Sequence, residues 1–352
     1  MTGILGATVS DFSWADTLAR LVRGEDLGEA EAAAAMSEIF SGSATPAQMG
    51  GFLLALRAKG ETAEEIAGLA RTMRAFSKKV DVEGPLVDTC GTGGDRAGTV
   101  NVSTMAAIVV AGAGARVAKH GNRAASSECG SADLLEALGV KIDLEPEGVA
   151  ACIEEAGIGF CFAQIFHPAM KHAGPIRREL GVPTVFNFLG PLTNPAGATR
   201  QTVGVSDPAM APKIAGALAG LGAEHAFVFR GDDGLDELTT TTTSRLWEIK
   251  DGAVSERSFN PASLGIPDAK PGDLKGAGPE HNAKIALSLL DGEPGPIRDA
   301  VVLNAAAALV AAGVATSIAE GMTAAAEAID SGAAMRTLER FRVVTQRLGD
   351  AR

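Results

Sequence analysis

At 352 residues, with 46% apolar and 21% charged side chains, 43 glycines and no tyrosine, the chain is long enough for two lobes and too apolar to be disordered. Its net charge of −12, with no Lys/Arg-rich stretch to offset it, argues against a nucleic-acid or membrane-surface partner. An anionic substrate stays possible, because local amides, a few cations and a metal hold phosphate whatever the global charge. Apolar runs such as Ala305–Ala312 fall well short of the ~20 residues that span a bilayer, and no basic segment followed by an apolar core opens the chain. A cytoplasmic protein is expected. Cys90, Cys129, Cys152 and Cys161 show neither metal-ligand spacing nor the density of a disulfide scaffold, so buried or incidental thiols are expected.

From Trp14 to Phe76 apolar residues recur at three- and four-residue spacing, as in Leu18, Leu21 and Val22 and again in Phe52, Leu53 and Leu56, which predicts a small helical lobe. Thr45-Pro46 reads as an N-cap followed by a first-turn proline, and Thr62 with Glu65 as a capping box. Val80–Pro85 reads as a crossing between lobes. At Leu86–Thr89 the pattern changes to short apolar runs alternating with helices and Gly-rich turns, the signature of βα units. Further strands are predicted at Gln201–Val205 and Ala226–Phe229, and helices at 209–221, 282–290 and 297–312.

Four segments carry chemistry. Cys90-Gly91-Thr92-Gly93-Gly94-Asp95 follows a predicted strand, and its glycines remove the side chains that keep a bulky anion off the backbone. Alone it is equally a plain turn. It is not a dinucleotide fingerprint, since Arg96 stands where a third glycine is required, and no Gly-Lys-Ser/Thr P-loop occurs. Asn101-Val102-Ser103-Thr104 opens the apolar run Met105–Ala111; by itself a cap, it also aims a helix N-terminus and two hydroxyls at the glycine loop. Diphosphate suits such a pocket. The run from Lys119 and His120 through Asn122, Arg123 and Ser131 to Asp133 holds more polar function than a connector needs. Asp232-Asp233-Gly234-Leu235-Asp236-Glu237 is either a hydrated acidic turn or a magnesium site shared with substrate phosphates. Beside diphosphate-type loops, the second reading is the better one.

With His167-Pro168-Ala169-Met170, Phe186-Asn187 and the segment Leu189-Gly190-Pro191-Leu192-Thr193-Asn194-Pro195, these motifs occur in an order that resembles the anthranilate phosphoribosyltransferase family, over about residues 14 to 348. The resemblance implies an α/β fold with a mostly parallel sheet in a larger lobe, hinged to the helical lobe. The helical lobe is expected to span 1–83, completed by helices from about 168–195, and the larger lobe 84–352. It also implies a homodimer formed through the helical lobes. Phosphoribosyl pyrophosphate would be held by Gly91, Gly93, Gly94, Asp95, Thr99, Asn101, Ser103, Thr104, Lys119 and Ser131, and Mg2+ by Ser103, Asp236 and Glu237. Anthranilate would meet Gly91, Asn122, His167 and Arg177, with His120, Asn122 and Arg177 the catalytic set and Arg178 the alternative to Arg177.

Two positions depart from the family pattern. Glu128 stands where many relatives carry Lys, and Leu238–Arg245 with its run of five threonines lacks an expected Gly-Pro. Two rival readings are a pyrimidine nucleoside phosphorylase-like enzyme and a non-catalytic relative that binds nucleic acid. The Leu189–Pro195 segment with Asp236-Glu237 speaks against the first, and the acidic composition with retained donor ligands against the second.

For glycosyl transfer from a diphosphate donor, the protein's useful contribution is stabilisation of the leaving group and positioning of the amine. A neutral arylamine needs no strong base, so His120 is expected to orient the acceptor. Arg177 would pair with the aromatic carboxylate.

Overall fold

Local capping explains where the helices of the N-terminal lobe begin. In the computed structural model, which describes residues 12–350 apart from Ala125 and Ser126, these helices are α1 (Trp14–Val22), α2 (Glu29–Ser41), α3 (Pro46–Lys59) and α4 (Ala63–Ala75). At the start of α3 the Gln48 N–H donates to the Thr45 hydroxyl, and the Thr45 N–H donates back to Gln48 Oε1 at 2.9 Å. Thr62 and Glu65 make the same reciprocal pair at α4, as their spacing predicts.

The larger lobe is a seven-stranded sheet of order β3-β2-β1-β4-β5-β6-β7. After α4 the elements in chain order are β1 (Val87–Gly91), α5 (Val102–Gly112), β2 (Val117–Gly121), α6 (Ser131–Ala137), α7 (Pro146–Ala156), β3 (Ile158–Phe162), α8 (Ala163–Phe166), α9 (Met170–Leu180), α10 (Phe186–Leu189), β4 (Arg200–Gly204), α11 (Ala211–Gly220), β5 (His225–Gly231), β6 (Ser244–Lys250), β7 (Ala253–Phe259), α12 (Pro279–Leu290), α13 (Pro296–Ala312), α14 (Ile318–Asp330) and α15 (Ala333–Asp350). Strands β1 to β5 pair in parallel, and β5, β6 and β7 pair antiparallel. The sheet is mostly parallel and the N-terminal lobe helical, as the resemblance implies.

Alternation along the strands divides the core. In β5, Phe227 and Phe229 join the cluster beneath α5 and α13, whereas Ala226 and Val228 join a cluster with α11 and the helical lobe. The two lobes therefore share one packed surface. Helices α9 and α10 return to the helical lobe, where Ala173 is buried and the Phe186 ring stacks on Phe40 with centroids 6.2 Å apart. The chain crosses between lobes three times, and the crossings are tied together: Lys78 N–H donates to the Phe166 carbonyl at 2.9 Å and Val80 N–H to that of Pro195 at 3.2 Å. All four cysteines are buried and unbridged. Among the described residues no helix is long and apolar enough to cross a membrane.

Candidate active site

From β1 the chain winds outward to β2 and β3; from β4 it winds the other way to β5. The crevice at the carboxyl ends of β1 and β4 is therefore a topological switch point, where open α/β sheets bind ligands. Four segments converge there: the glycine loop after β1, the end of β2, the start of α5 and the acidic segment after β5.

The acidic segment lies across the strand ends. Gly91 and Gly204 are register partners, and a Cβ on Gly91 would collide with the Asp236 carboxylate, one on Gly204 with the Asp236 backbone. Gly93 N–H donates to Asp236 Oδ2 at 2.7 Å, and the Ser206 hydroxyl donates to the Gly93 carbonyl at 2.8 Å. The turn is tight enough that Gly93 and Gly94 sit at φ +67° and +85°, where side chains are disfavoured. Ser103 N–H, at the start of α5, donates to Glu237 Oε1 at 3.2 Å. The Ser103 carbonyl accepts from the Thr89 hydroxyl at 2.9 Å, and the Thr89 carbonyl from the buried Lys119 Nζ at 2.6 Å. Glycine loop, helix start, buried cation and carboxylate pair are thus one hydrogen-bonded unit.

Burial and then the neighbouring Asp95 raise the Asp236 carboxyl to about 7, while burial and then Asp236 push Glu237 well above the usual carboxylate range. Asp95, Asp236 and Glu237 take part in no salt bridge among the described residues, where no group of three His, Cys, Asp or Glu side chains could hold a metal by itself. Adjacent hard-oxygen donors that are charge-frustrated and too few to enclose an ion fit Mg2+, which keeps water and substrate phosphate oxygens in its shell. The Ser103 hydroxyl, on the residue whose amide meets Glu237, completes the expected set.

The threonine run has a structural account. The Thr239 hydroxyl donates to Asp233 Oδ2 at 2.7 Å, Thr241 donates to the same oxygen, and Thr243 donates to Asp232. The threonines thereby occupy two of the four acids and leave Asp236 and Glu237 to the crevice. Glu128 is exposed.

The other expected donor ligands differ in availability. Thr99 lies in a short bridge to Lys275, next to the glycine loop in sequence. Asn101 donates to the Cys129 carbonyl at 2.9 Å and accepts from Asn282 at 3.0 Å, so its amide ties the polar loop to α12. Thr104 is buried, its hydroxyl without a protein partner among the described residues. The Ser131 hydroxyl accepts from Asn122 N–H at 3.2 Å and donates to the Asn122 carbonyl at 3.1 Å. Arg123 turns away to Asp133 and Glu136, leaving Asn122 exposed; Ala125 and Ser126 of the same loop lie outside the described residues.

On the acceptor side, His120 Nδ1 donates to the Gly190 carbonyl at 3.0 Å, and His167 Nε2 lies 3.2 Å from His120 Nε2. The Arg177 guanidinium stacks 5.3 Å over the Phe186 ring, burial lowers its pKa, and it has no salt-bridge partner among the described residues. Phe186 opens α10 and Gly190 follows it, so Arg177 and His120 are held by the two ends of one short segment.

Two residues of this frame have roles that the motifs do not disclose: Asp88, which belongs to none of them, and Asn194, which stands inside the Leu189–Pro195 segment. Fully buried Asp88 accepts from His120 N–H at 3.0 Å with Oδ1 and from Asn194 at 2.7 Å with Oδ2, locking β2 to the Leu189–Pro195 segment. An aspartate inside the apolar run Leu86–Val87–Asp88 was the available signal.

The model of a glycosyl transferase family a/b domain matches residues 83–335, and that of the same family's helical bundle domain residues 15–77. An anthranilate phosphoribosyltransferase from Nocardioides sp. is 55% identical over 340 residues, covering 95% of this chain and 99% of the relative. The crystal structure of the Thermus thermophilus enzyme of that name superposes with a TM-score of 0.89 at 46% identity, over 94% of this chain and 99% of that one. The Saccharomyces cerevisiae enzyme, solved in complex with PRPP and Mg, gives 0.88 at 30% identity, over 96% and 99%. With the switch-point crevice built from the motifs that suggested it, the chain belongs to the anthranilate phosphoribosyltransferase family.

Proposed function

We propose that the protein transfers the 5-phosphoribosyl group of phosphoribosyl pyrophosphate to the amino nitrogen of anthranilate, giving N-(5-phosphoribosyl)anthranilate and diphosphate, in tryptophan biosynthesis. The observation that carries this reading is the attachment of Asp236 and Glu237 to the Gly93 and Ser103 amides, which gathers hard-oxygen donors and anion-binding backbone at one point.

The donor ligands are Gly91, Gly93, Gly94, Asp95, Thr99, Asn101, Ser103, Thr104, Lys119 and Ser131, and the magnesium ligands Ser103, Asp236 and Glu237. Magnesium, when bound, supplies neutralisation of the diphosphate charge. Lys119 adds a cation, and the glycine-loop amides orient the phosphates. Anthranilate lies against Gly91, Asn122, His167 and Arg177, with the Arg177 fork on its carboxylate. His120 and Asn122 aim the amino nitrogen at C1 of the ribose. As the nitrogen bonds to C1, the C1–O bond breaks with its electron pair on diphosphate, and the proton lost by the nitrogen passes to the departing diphosphate or to water. The imidazoles, held neutral by burial, do not repel the positive charge that builds on the ribose.

We further propose that the chain works as a cytoplasmic homodimer with a helical unit over 1–83, completed by 168–195, and an α/β unit over 84–352. The helical region exposes Val22, Leu54 and Val182, apolar side chains suited to a partner subunit. The test follows the loss of anthranilate fluorescence. The signal should fall only when donor and Mg2+ are both supplied, and an unchanged signal with both present overturns the proposal.

A further inference from the structure

Helix α13 is buried and apolar from Ala300 to Ala311 except at Asn304, which is 3% exposed. A buried amide is costly unless its polar atoms find partners. Asn304 Oδ1 accepts from Leu238 N–H at 3.0 Å, while Nδ2 donates at 2.9 Å to the Leu238 carbonyl and at 2.9 Å to the Ala300 carbonyl one turn back. Leu238 directly follows Glu237, in a stretch between β5 and β6 that has neither helix nor strand. It is 1% exposed, so its backbone groups have little access to water, and Asn304 serves as the partner a neighbouring strand would otherwise be. The next residue is fixed as well, its N–H donating to the Ser244 hydroxyl at 3.2 Å and its own hydroxyl to Asp233 at 2.7 Å.

We infer that Asn304 is a positioning residue for the carboxylate pair: by gripping both backbone polar groups of Leu238, it sets where Asp236 and Glu237 stand relative to the Gly93 and Ser103 amides. This rests on the reading of that pair as the magnesium ligands. A side chain needed only to fill the core would be apolar, as its neighbours on α13 are. Leucine at this position keeps the volume and leaves two buried backbone groups unpaired; aspartate keeps the acceptor for Leu238 N–H and loses the donor.

The test measures Mn2+ binding by the loss of the free-ion paramagnetic resonance signal, with inorganic diphosphate present, on the full-length chain. Wild type, Asn304→Leu, Asn304→Asp and the double variant Asp236→Asn/Glu237→Gln are compared, each with a melting curve and apparent constants for Mg2+ and anthranilate. Supporting groups behind metal ligands are worth about ten- to hundredfold in metal affinity, and Asn304→Leu should weaken Mn2+ binding by that factor. Its apparent constant for Mg2+ should rise in parallel while that for anthranilate stays within about twofold of wild type, a spread of under 0.5 kcal/mol. Asn304→Asp should lose less, and carries the comparison if Asn304→Leu does not fold. Wild-type Mn2+ affinity in the Asn304 variants beside a lowered melting temperature overturns the inference and leaves a structural asparagine. Wild-type affinity in the double carboxylate variant overturns the magnesium assignment itself.

Discussion

Nε2 of His167 faces Nε2 of His120 across 3.2 Å, with both rings buried. The Gly190 carbonyl decides which nitrogens carry protons: it takes the Nδ1 hydrogen of His120, which makes His120 Nε2 the acceptor and His167 Nε2 the donor. A further proton placed on His120 Nε2 would set two N–H groups against each other. Burial lowers His120 to about 4 and, with His120 beside it, His167 to about 3. The unfolded chain takes up protons on both near 6.5 while the fold does not. Their contribution to stability is therefore complete above about pH 6.5 and is lost as pH falls toward 4, at roughly 1.4 kcal/mol per pH unit for each. Melting temperatures measured between about pH 7 and 5 should fall more steeply for wild type than for His167→Gln. Equal slopes would mean that the imidazoles titrate normally.

Asp236→Asn with Glu237→Gln should separate function from stability in the opposite direction. The fold raises Asp236 from 3.8 to about 7, so its ionisation destabilises the native state, not at all below the unfolded value and fully above about pH 7. Asparagine can still accept from the Gly93 N–H. The double variant should melt higher than wild type above about pH 7 and alike near pH 4, while turnover falls at least about a hundredfold, since metal stabilisation of the leaving group is worth several kcal/mol. Unaltered turnover would return the pair to a hydrated acidic turn.

Gly91→Ala and Gly93→Ala should behave differently although the glycines are two residues apart. A methyl on Gly91 meets the Asp236 carboxylate, whereas one on Gly93 meets no protein atom within 4 Å and only strains a left-handed φ of +67°. Gly91→Ala should therefore raise the apparent constants for Mg2+ and donor together. Gly93→Ala should lower stability by about 1–2 kcal/mol and act on the donor constant alone. Steady-state titrations of both ligands on each variant, with a melting curve, distinguish these outcomes; matching profiles would place the Gly91 effect in general loop distortion.

What the sequence made legible was whatever is local. Thr45, Thr62 and Glu65 announce their caps because the partners lie three residues away. The hairpin of β6 and β7 was missed, although Asp251-Gly252 at φ +52° and +76° is a strong turn signal. Strand β7 is almost wholly exposed and carries no apolar alternation to mark it. Asp88 and Asn304, and the role of Asn194 within its motif, are not legible for another reason. Each is a single polar residue whose meaning lies in a backbone group or side chain 32 to 106 positions away. The threonine run is between the two cases: its partners Asp232 and Asp233 are near in sequence, but only the turn shows that the threonines bond to those acids and not to Asp236.

Arg177→Ala tests the identity of the acceptor. Its guanidinium is half-buried over Phe186 with no carboxylate of the protein beside it among the described residues, whereas Arg178 is exposed. A cation desolvated by packing and left without an internal counter-charge is suited to a ligand carboxylate. Removing a charge-assisted, bidentate contact should cost about 1.5–3 kcal/mol, roughly ten- to hundredfold in the apparent constant for anthranilate, with the donor constant nearly unchanged. Arg177→Lys should recover only part of the loss, because ammonium keeps the charge and forfeits the planar fork. Arg178→Ala should leave both constants near wild type. Were Arg177 merely packing against Phe186, its loss would lower the melting temperature and affect both substrates alike, and lysine, whose stem also covers the ring, would restore most of it. Paired titrations of donor and anthranilate on the three variants, beside melting curves, decide between these. A defect confined to the donor, or lost stability with substrate preference unchanged, would sink the assignment and move the carboxylate contact to Arg178 or His120.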